Sequence, residues 1–234
     1  MQLFYHPDLH EHTKFFSFDR EESKHLLKVL RKNTGDTIWV TNGDHWLFEA
    51  EITEANAQEC KLRVITATRK GARNYALHMA VAPTRTNDRY EWFLEKAVEI
   101  GVDEITPLIC SRSERKTAKP ERWKKIMVSA MKQSLQYSLP KLNKAIDFQD
   151  FIDQPFNGQL FIAHCGKSER ASLKRKALAD HKVTILIGPE GDFSEEEIHL
   201  AEQKGCIPVS LGGTRLRTET AALVACHTVA LINA

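Results

Sequence analysis

Residues 186–197 read LIGPEGDFSEEE, and the rest of the chain falls into place around them. The apolar run that leads in (Val183, Ile185, Leu186, Ile187) has the unbroken hydrophobicity of a strand buried on both faces. It does not end in an ordinary turn. Gly188, Pro189, Glu190 and Gly191 follow, and then Ser194 with Glu197 three positions on, a capping box that opens a helix. Glu195 and Glu196 suit the positive end of that helix. The cap accounts for SEEE and leaves GPEG unexplained. Glycines there allow the backbone to approach a ligand closely, and proline stiffens the loop.

The same strand-to-helix texture runs through most of the chain. From about residue 75, ALHMAVA, EITPLI, QLFIAH, VTILIG and IPVSLG read as strands. The helical stretches between them are DRYEWFLEKAVEIG, PERWKKIMVSAMKQSLQ, a weaker ERASLKRKAL and SEEEIHLAEQKG, and TETAALVACHTVALINA closes the chain. Trp123, Ile126, Met127, Ala130 and Met131 share one helix face, with Pro120 in its first turn, and Gly101 and Gly205 stop two other helices. Five alternations predict a mostly parallel α/β sheet, whose ligands bind beyond the carboxyl ends of its strands. Before residue 73 the pattern differs. Asp19, with Glu22 three residues on, caps a helix carrying Leu26, Leu27, Val29 and Leu30, and Gly35 stops it. TIWVTNGDHWLFEAEI reads as a hairpin around Asn42-Gly43, and CKLRVITAT alternates like a further strand. Two domains are expected: a small β module over 1–72 and an α/β domain over 73–234.

Composition narrows the class. With 42% hydrophobic and 27% charged residues the chain reads as soluble and globular, and a formal charge of +2 is silent about nucleic acid. Five cysteines without a CxxC pair point to reduced thiols in a cytoplasmic protein. No apolar stretch approaches membrane-spanning length, and the start MQLFYHPDLHEH is not that of a signal peptide. His6, His10 and His12 lack a cysteine partner or an HExxH pattern, so no metal site is expected.

The common nucleotide motifs fail. GPEGDF lacks the spacing of a dinucleotide fingerprint, and a P-loop ending at Gly166-Lys167 would need glycine where Phe161 stands. Glu190 would also repel phosphate. A second loop, SLGGTRLRTETA over 210–221, ends the next strand. Gly212 and Gly213 permit close approach, and Thr218 can cap the last helix. Spacing alone fits a plain turn equally well. Two arginines beside it, Arg215 and Arg217, are harder to assign to structure.

IGPEGDFSEEE followed by SLGGTRLRTETA resembles the last two motifs of the SPOUT methyltransferases. Within that class it is most similar to the small-subunit ribosomal RNA uridine-N-3 methyltransferases. HLLKVLR (25–31), EKAVEIGVDEITPL (95–108), RSERK (112–116) and AMKQSLQYSLPKL (130–142) extend the match, in order, over nearly the whole chain. The resemblance implies an N-terminal PUA-like β-barrel that binds RNA and a C-terminal α/β domain with a trefoil knot. It also implies a homodimer, with S-adenosylmethionine held in the knotted loops by His164, Ile187, Gly188, Glu190, Gly191, Leu211, Gly212, Leu216, Arg217 and Thr218. The family usually has glycine where this chain has Asp192, and arginine then isoleucine or valine where it has Thr214 and Arg215. No role for an arginine at 214 is therefore carried over.

Methylation at N-3 of uridine requires the loss of a proton and stabilisation of the resulting anion. Arg217 is the candidate to stabilise charge on the uracil oxygens, its alternative being a phosphate or carboxylate partner in the dimer. Glu219 could accept the proton or simply complement the helix dipole, and Glu190 could equally fix its own loop. For RNA, RSERKTAKPERWKK (112–125) holds seven Lys/Arg against two Glu, a local +5 that reads as a phosphate footprint or a solvated helix face. Arg112, Arg115 and Lys116 lead this set, with Arg31 (beside Lys28 and Lys32) and Arg85 (near Arg89) behind them. The expected activity is S-adenosylmethionine-dependent methylation of N-3 of a specific uridine in 16S ribosomal RNA, free or in the assembled small subunit, with no membrane partner. The alternatives are a non-catalytic RNA-binding or assembly factor of the same fold, and a methyltransferase with another acceptor such as ribose 2′-OH or tRNA. An unpaired base is the expected target.

Overall fold

A computed structural model describes residues 2–115, 119–166 and 170–234. The chain divides into two compact units, Met1–Ala72 with Met131–Leu139, and Arg73–Ala130 with Pro140–Ala234.

The first unit is a five-stranded mixed sheet of β1 (Leu3–Tyr5), β2 (Phe15–Ser17), β3 (Thr37–Thr41), β4 (Trp46–Glu54) and β5 (Lys61–Arg69), in the order β1-β3-β4-β5-β2. β1 runs parallel to β3, and the other pairs are antiparallel. The two edge strands meet: the His6 ring donates through Nε2 to the Ser17 carbonyl at 3.2 Å and packs on Phe16 and Phe18. The sheet therefore curls on itself around Phe4, Leu26, Val40, Phe48, Ile52 and Leu62. Asn42 and Gly43 do begin the β3–β4 connection, but it is four residues long. The Asn42 carboxamide accepts from the Asp44 and Trp46 amides, and His45 also takes a positive φ of 61°.

The helix of this unit departs from expectation. Asp19 caps α1 (Arg20–Lys24) by accepting from the Glu22 amide, but Glu22 does not reach back. Its carboxylate pairs instead with Lys132 at 2.5 Å. From His25 to Val29 the helix widens into a π turn that buries Leu26 and leaves Val29 exposed. The chain leaves this turn at Arg31, with φ of 56°, well before Gly35.

The second unit is built on a parallel sheet. Its main strands are β6 (Ala76–Val81), β7 (Glu104–Ile109), β10 (Gln159–Ala163), β12 (Lys182–Ile187) and β13 (Ile207–Ser210), the five read from the sequence. Short strands β8 (Lys141–Leu142), β9 (Ile146–Asp147) and β11 (Ala171–Ser172) add to it, giving the order β11-β13-β10-β12-β6-β7-β8 with β9 also on β7. The helices are α2 (Asn87–Ile100), α3 (Pro120–Gln133), α4 (Phe148–Ile152), α5 (Leu173–Lys176), α6 (Glu195–Gln203) and α7 (Thr218–Ile232). The weak ERASLKRKAL pattern yields only the four-residue α5, and FQDFI, too short to show a period, forms α4. β12 is buried from Val183 to Ile187, and each such aliphatic side chain contributes roughly 1.5–3 kcal/mol relative to exposure. Among the described residues no helix is long and apolar enough to cross a membrane.

Candidate functional site

The strand register places the site. Ala163 pairs with Ile187 and with Val209, and Ile187 pairs with Val81. Four strands thus end at one level, and the loops that follow β6, β10, β12 and β13 leave the sheet side by side. The last three enclose a cavity of about 340 Å³. His164, Ile187, Gly188, Glu190, Leu211, Gly212, Leu216, Arg217 and Thr218 all line it. Gly191 does not: its carbonyl accepts from Arg112 at 3.0 Å, and a Cβ there would meet Arg112 Cβ at 3.3 Å.

The carboxylate between two glycines has a structural task. Glu190 Oε1 accepts the Arg85 amide at 2.9 Å, bracing the β12 loop against the β6 loop. Gly188 is tightly packed: a Cβ there would stand 3.0 Å from the Phe193 ring and 3.1 Å from its backbone nitrogen, so Phe193 would have to yield. The capping box of Ser194 and Glu197 forms, and Glu197 also accepts from the Ser111 amide and hydroxyl, which ties in the loop after β7.

His164, at the end of β10, is buried, and its Nδ1 accepts from the Gly166 amide at 3.1 Å. Burial, more than any other influence, holds its pKa below the ordinary imidazole value. Arg170, which donates to the His164 carbonyl, adds to this, while Asp192 and Glu202 oppose it. With Nδ1 accepting, the neutral ring carries its proton on Nε2, which is buried without a hydrogen-bond partner among the described residues.

The loop after β13 is different in kind. Gly212, Gly213, Thr214, Arg215 and Arg217 are exposed, and a Cβ on Gly212 would meet open space. Thr218 does not cap α7. Arg217 holds the cap position without a side-chain bond, and Thr218 is the first helical residue, free to turn its hydroxyl onto the Gly188 carbonyl at 3.1 Å. Beyond Arg215, Leu216 and Arg217, which line the cavity, the same residues border an open groove with Asp88, Arg89, Trp92, Glu219 and Thr220. Glu219 is only 6% exposed, its Oε1 lies 3.7 Å from Arg89 Nε, and its Oε2 has no hydrogen-bond partner among the described residues. Trp92 carries no motif that sequence reading could single out, and Arg89 stands in the sequence only as a candidate RNA-binding cation, not as a partner of Glu219. Asp192 shows itself in the sequence only as a departure from glycine.

The basic residues scatter in role. Arg112 is committed to the carbonyls of Gly191 and Phe193, and Arg122 to Glu91 at 2.7 Å. Exposed Arg85 pairs with Glu114 at 3.2 Å. Arg115 is half-buried, Lys116 lies outside the described residues, and Arg31 is exposed on the first unit. Lys119, Lys124 and Lys125, at and beyond the start of α3, face solvent.

Loops from the carboxyl ends of a parallel sheet, closing on one cavity, make this a small-ligand-binding α/β protein with an added β domain. Residues 72–230 match the RNA methyltransferase domain, and residues 18–65 match the RNA methyltransferase PUA domain. The chain belongs to the RNA methyltransferase family that the first of these defines. The ribosomal RNA small subunit methyltransferase E of Rickettsia conorii is 28% identical over 99% of this chain and 96% of its own length. The crystal structure of a probable rRNA-methyltransferase from Porphyromonas gingivalis is similar with a TM-score of 0.93 at 39% identity, over 100% of this chain and 98% of that one. The ribosomal RNA small subunit methyltransferase E of Neisseria gonorrhoeae, bound to S-adenosyl methionine, gives a TM-score of 0.85 at 25% identity over 100% and 98%.

Proposed function

We propose that this chain methylates N-3 of a uridine in small-subunit ribosomal RNA with S-adenosylmethionine, as a cytoplasmic homodimer. The observation that carries the reading is the cavity at the carboxyl ends of β10, β12 and β13, in a chain that aligns end to end with a relative bound to that cofactor. The walls fit such a molecule. Ile187, Val209, Leu211 and Leu216 offer apolar surface to an adenine, and Glu190 brings a carboxylate to a ligand with sulfonium and ammonium charges. When bound, the cofactor supplies an electrophilic methyl group.

The residues of the chain do the rest. Arg217 borders both cavity and groove, where a cation can stabilise the uracil oxygens as N-3 loses its proton. Glu219 is assigned as the acceptor of that proton, with Arg89 holding its other oxygen. Trp92, 45% exposed, presents an indole face on which an unpaired base can stack. Lys119, Lys124 and Lys125 would contact phosphates, as would Arg85, Arg115 and Lys116 of the second unit's sequence and, independently, Arg31 of the first unit. The trefoil knot belongs to the same proposal. β13 lies on the far side of β10, yet α7 returns to pack on α2, β6 and β12, as a threaded chain end would.

Small subunits from a strain lacking the gene, incubated with the protein and methyl-labelled cofactor, should yield N-3-methyluridine on nucleoside mass analysis. Label on ribose or on another base would overturn the acceptor, and cofactor binding with no transfer to any RNA would favour the non-catalytic alternative. Light scattering at micromolar concentration tests the dimer, and a fully active monomer refutes it.

A further inference from the structure

We infer that Asp192 is a positioning residue that clasps the loop after β10 to the loop after β12 and so sets the shape of the cavity, an inference that rests on the cofactor reading above. Asp192 Oδ2 accepts the Cys165 amide at 2.7 Å, and Oδ1 accepts the Phe193 amide at 2.9 Å. Its own amide donates to the Pro189 carbonyl at 2.9 Å, which closes a tight turn. Among the described residues no other hydrogen bond joins these two loops. One side chain thus holds the His164–Cys165 wall of the cavity at a fixed distance from the Gly188–Glu190 wall.

The backbone makes the choice of residue informative. Asp192 has φ of 64°, in the left-handed region that glycine enters freely and other residues enter at a cost. Glycine would satisfy the turn better and could make neither bond to the carboxylate. The carboxylate and its two bonds are therefore what aspartate adds at this position. Asparagine tolerates the same backbone but presents one acceptor oxygen where aspartate presents two.

The variants Asp192→Gly and Asp192→Asn separate the turn from the clasp. If the clasp sets the cavity, calorimetry with S-adenosylmethionine should show affinity about tenfold weaker in Asp192→Gly and weakened less in Asp192→Asn, and KM for the cofactor should rise more than kcat falls. Cys165 offers a readout independent of the cofactor. It is the exposed thiol beside the clasp, and the other four cysteines are buried. Maleimide should label Cys165 several-fold faster in Asp192→Gly than in the wild type, with circular dichroism unchanged. Equal labelling rates, or tighter cofactor binding in Asp192→Gly, would overturn the inference and leave Asp192 as a turn residue only. Faster labelling supports the clasp even where the wild type binds no S-adenosylmethionine, a result that would overturn the functional reading alone.

Discussion

From Gly188 to Glu197 the loop after β12 is tied on every side: to Thr218, to Arg85, to Cys165, to Arg112 and to Ser111. Among the described residues, the loop after β13 from Leu211 to Leu216 makes one local exchange, between Ser210 and Gly212, and it exposes its glycines, Arg215 and, just beyond, Arg217. The two loops flank one cavity. The first is a wall fixed by bonds to five residues of other segments, so it can define where a ligand sits. The second has backbone and charge left to offer, so it can meet a ligand and the group that reacts with it.

The largest effect should come from the open loop. Arg217→Ala is expected to lower the single-turnover rate of methyl transfer at saturating RNA by about 100-fold, the loss of one charge-stabilising group, with little change in RNA affinity. A variant that binds RNA weakly but reacts at the normal rate would move Arg217 from chemistry to binding.

Valine in place of the two glycines sharpens the contrast. Gly188→Val must push on Phe193 and should cost roughly 1–3 kcal/mol in urea unfolding, as overpacking does. Gly212→Val meets no neighbour, and only its backbone is strained, at a φ of 157°, so its larger effect should be on cofactor affinity measured by calorimetry. A stable Gly188→Val protein would dissolve the distinction between the loops.

Thr218→Val removes the bond that joins α7 to the fixed wall and should cost about 0.5–1.5 kcal/mol by the same unfolding measurement. No loss would mean that the hydroxyl is equally well served by water.

The smallest effect is a pH dependence. Burial holds the pKa of His164 down, so the unfolded chain takes up a proton that the folded chain refuses. The stability this represents is fully present above the unfolded pKa of about 6.5 and is lost as pH falls through the lower folded value. His78, also depressed chiefly by burial, acts in the same direction. Unfolding midpoints between pH 7.5 and 5.5 should therefore fall less steeply for His164→Gln than for the wild type, and parallel slopes would remove His164 from the account.

What the sequence determined by itself is local. Hydrophobic runs marked the five main strands, Ser194 and Glu197 marked the start of α6, and Gly101 marked the end of α2, because periods and caps act within a few residues of each other. GPEG and LGG were legible as loops that something approaches. Tertiary structure decided which loops face one another. β12 lies between β10 and β6, and that order follows from packing the whole sheet rather than from any one strand. Only this order brings Glu190 to Arg85, Thr218 to Gly188 and Asp192 to Cys165. It also commits Arg112 to backbone carbonyls, which a count of basic residues reads as free charge. Such pairings join residues tens of positions apart, and their energies depend on a register that no short stretch of sequence contains.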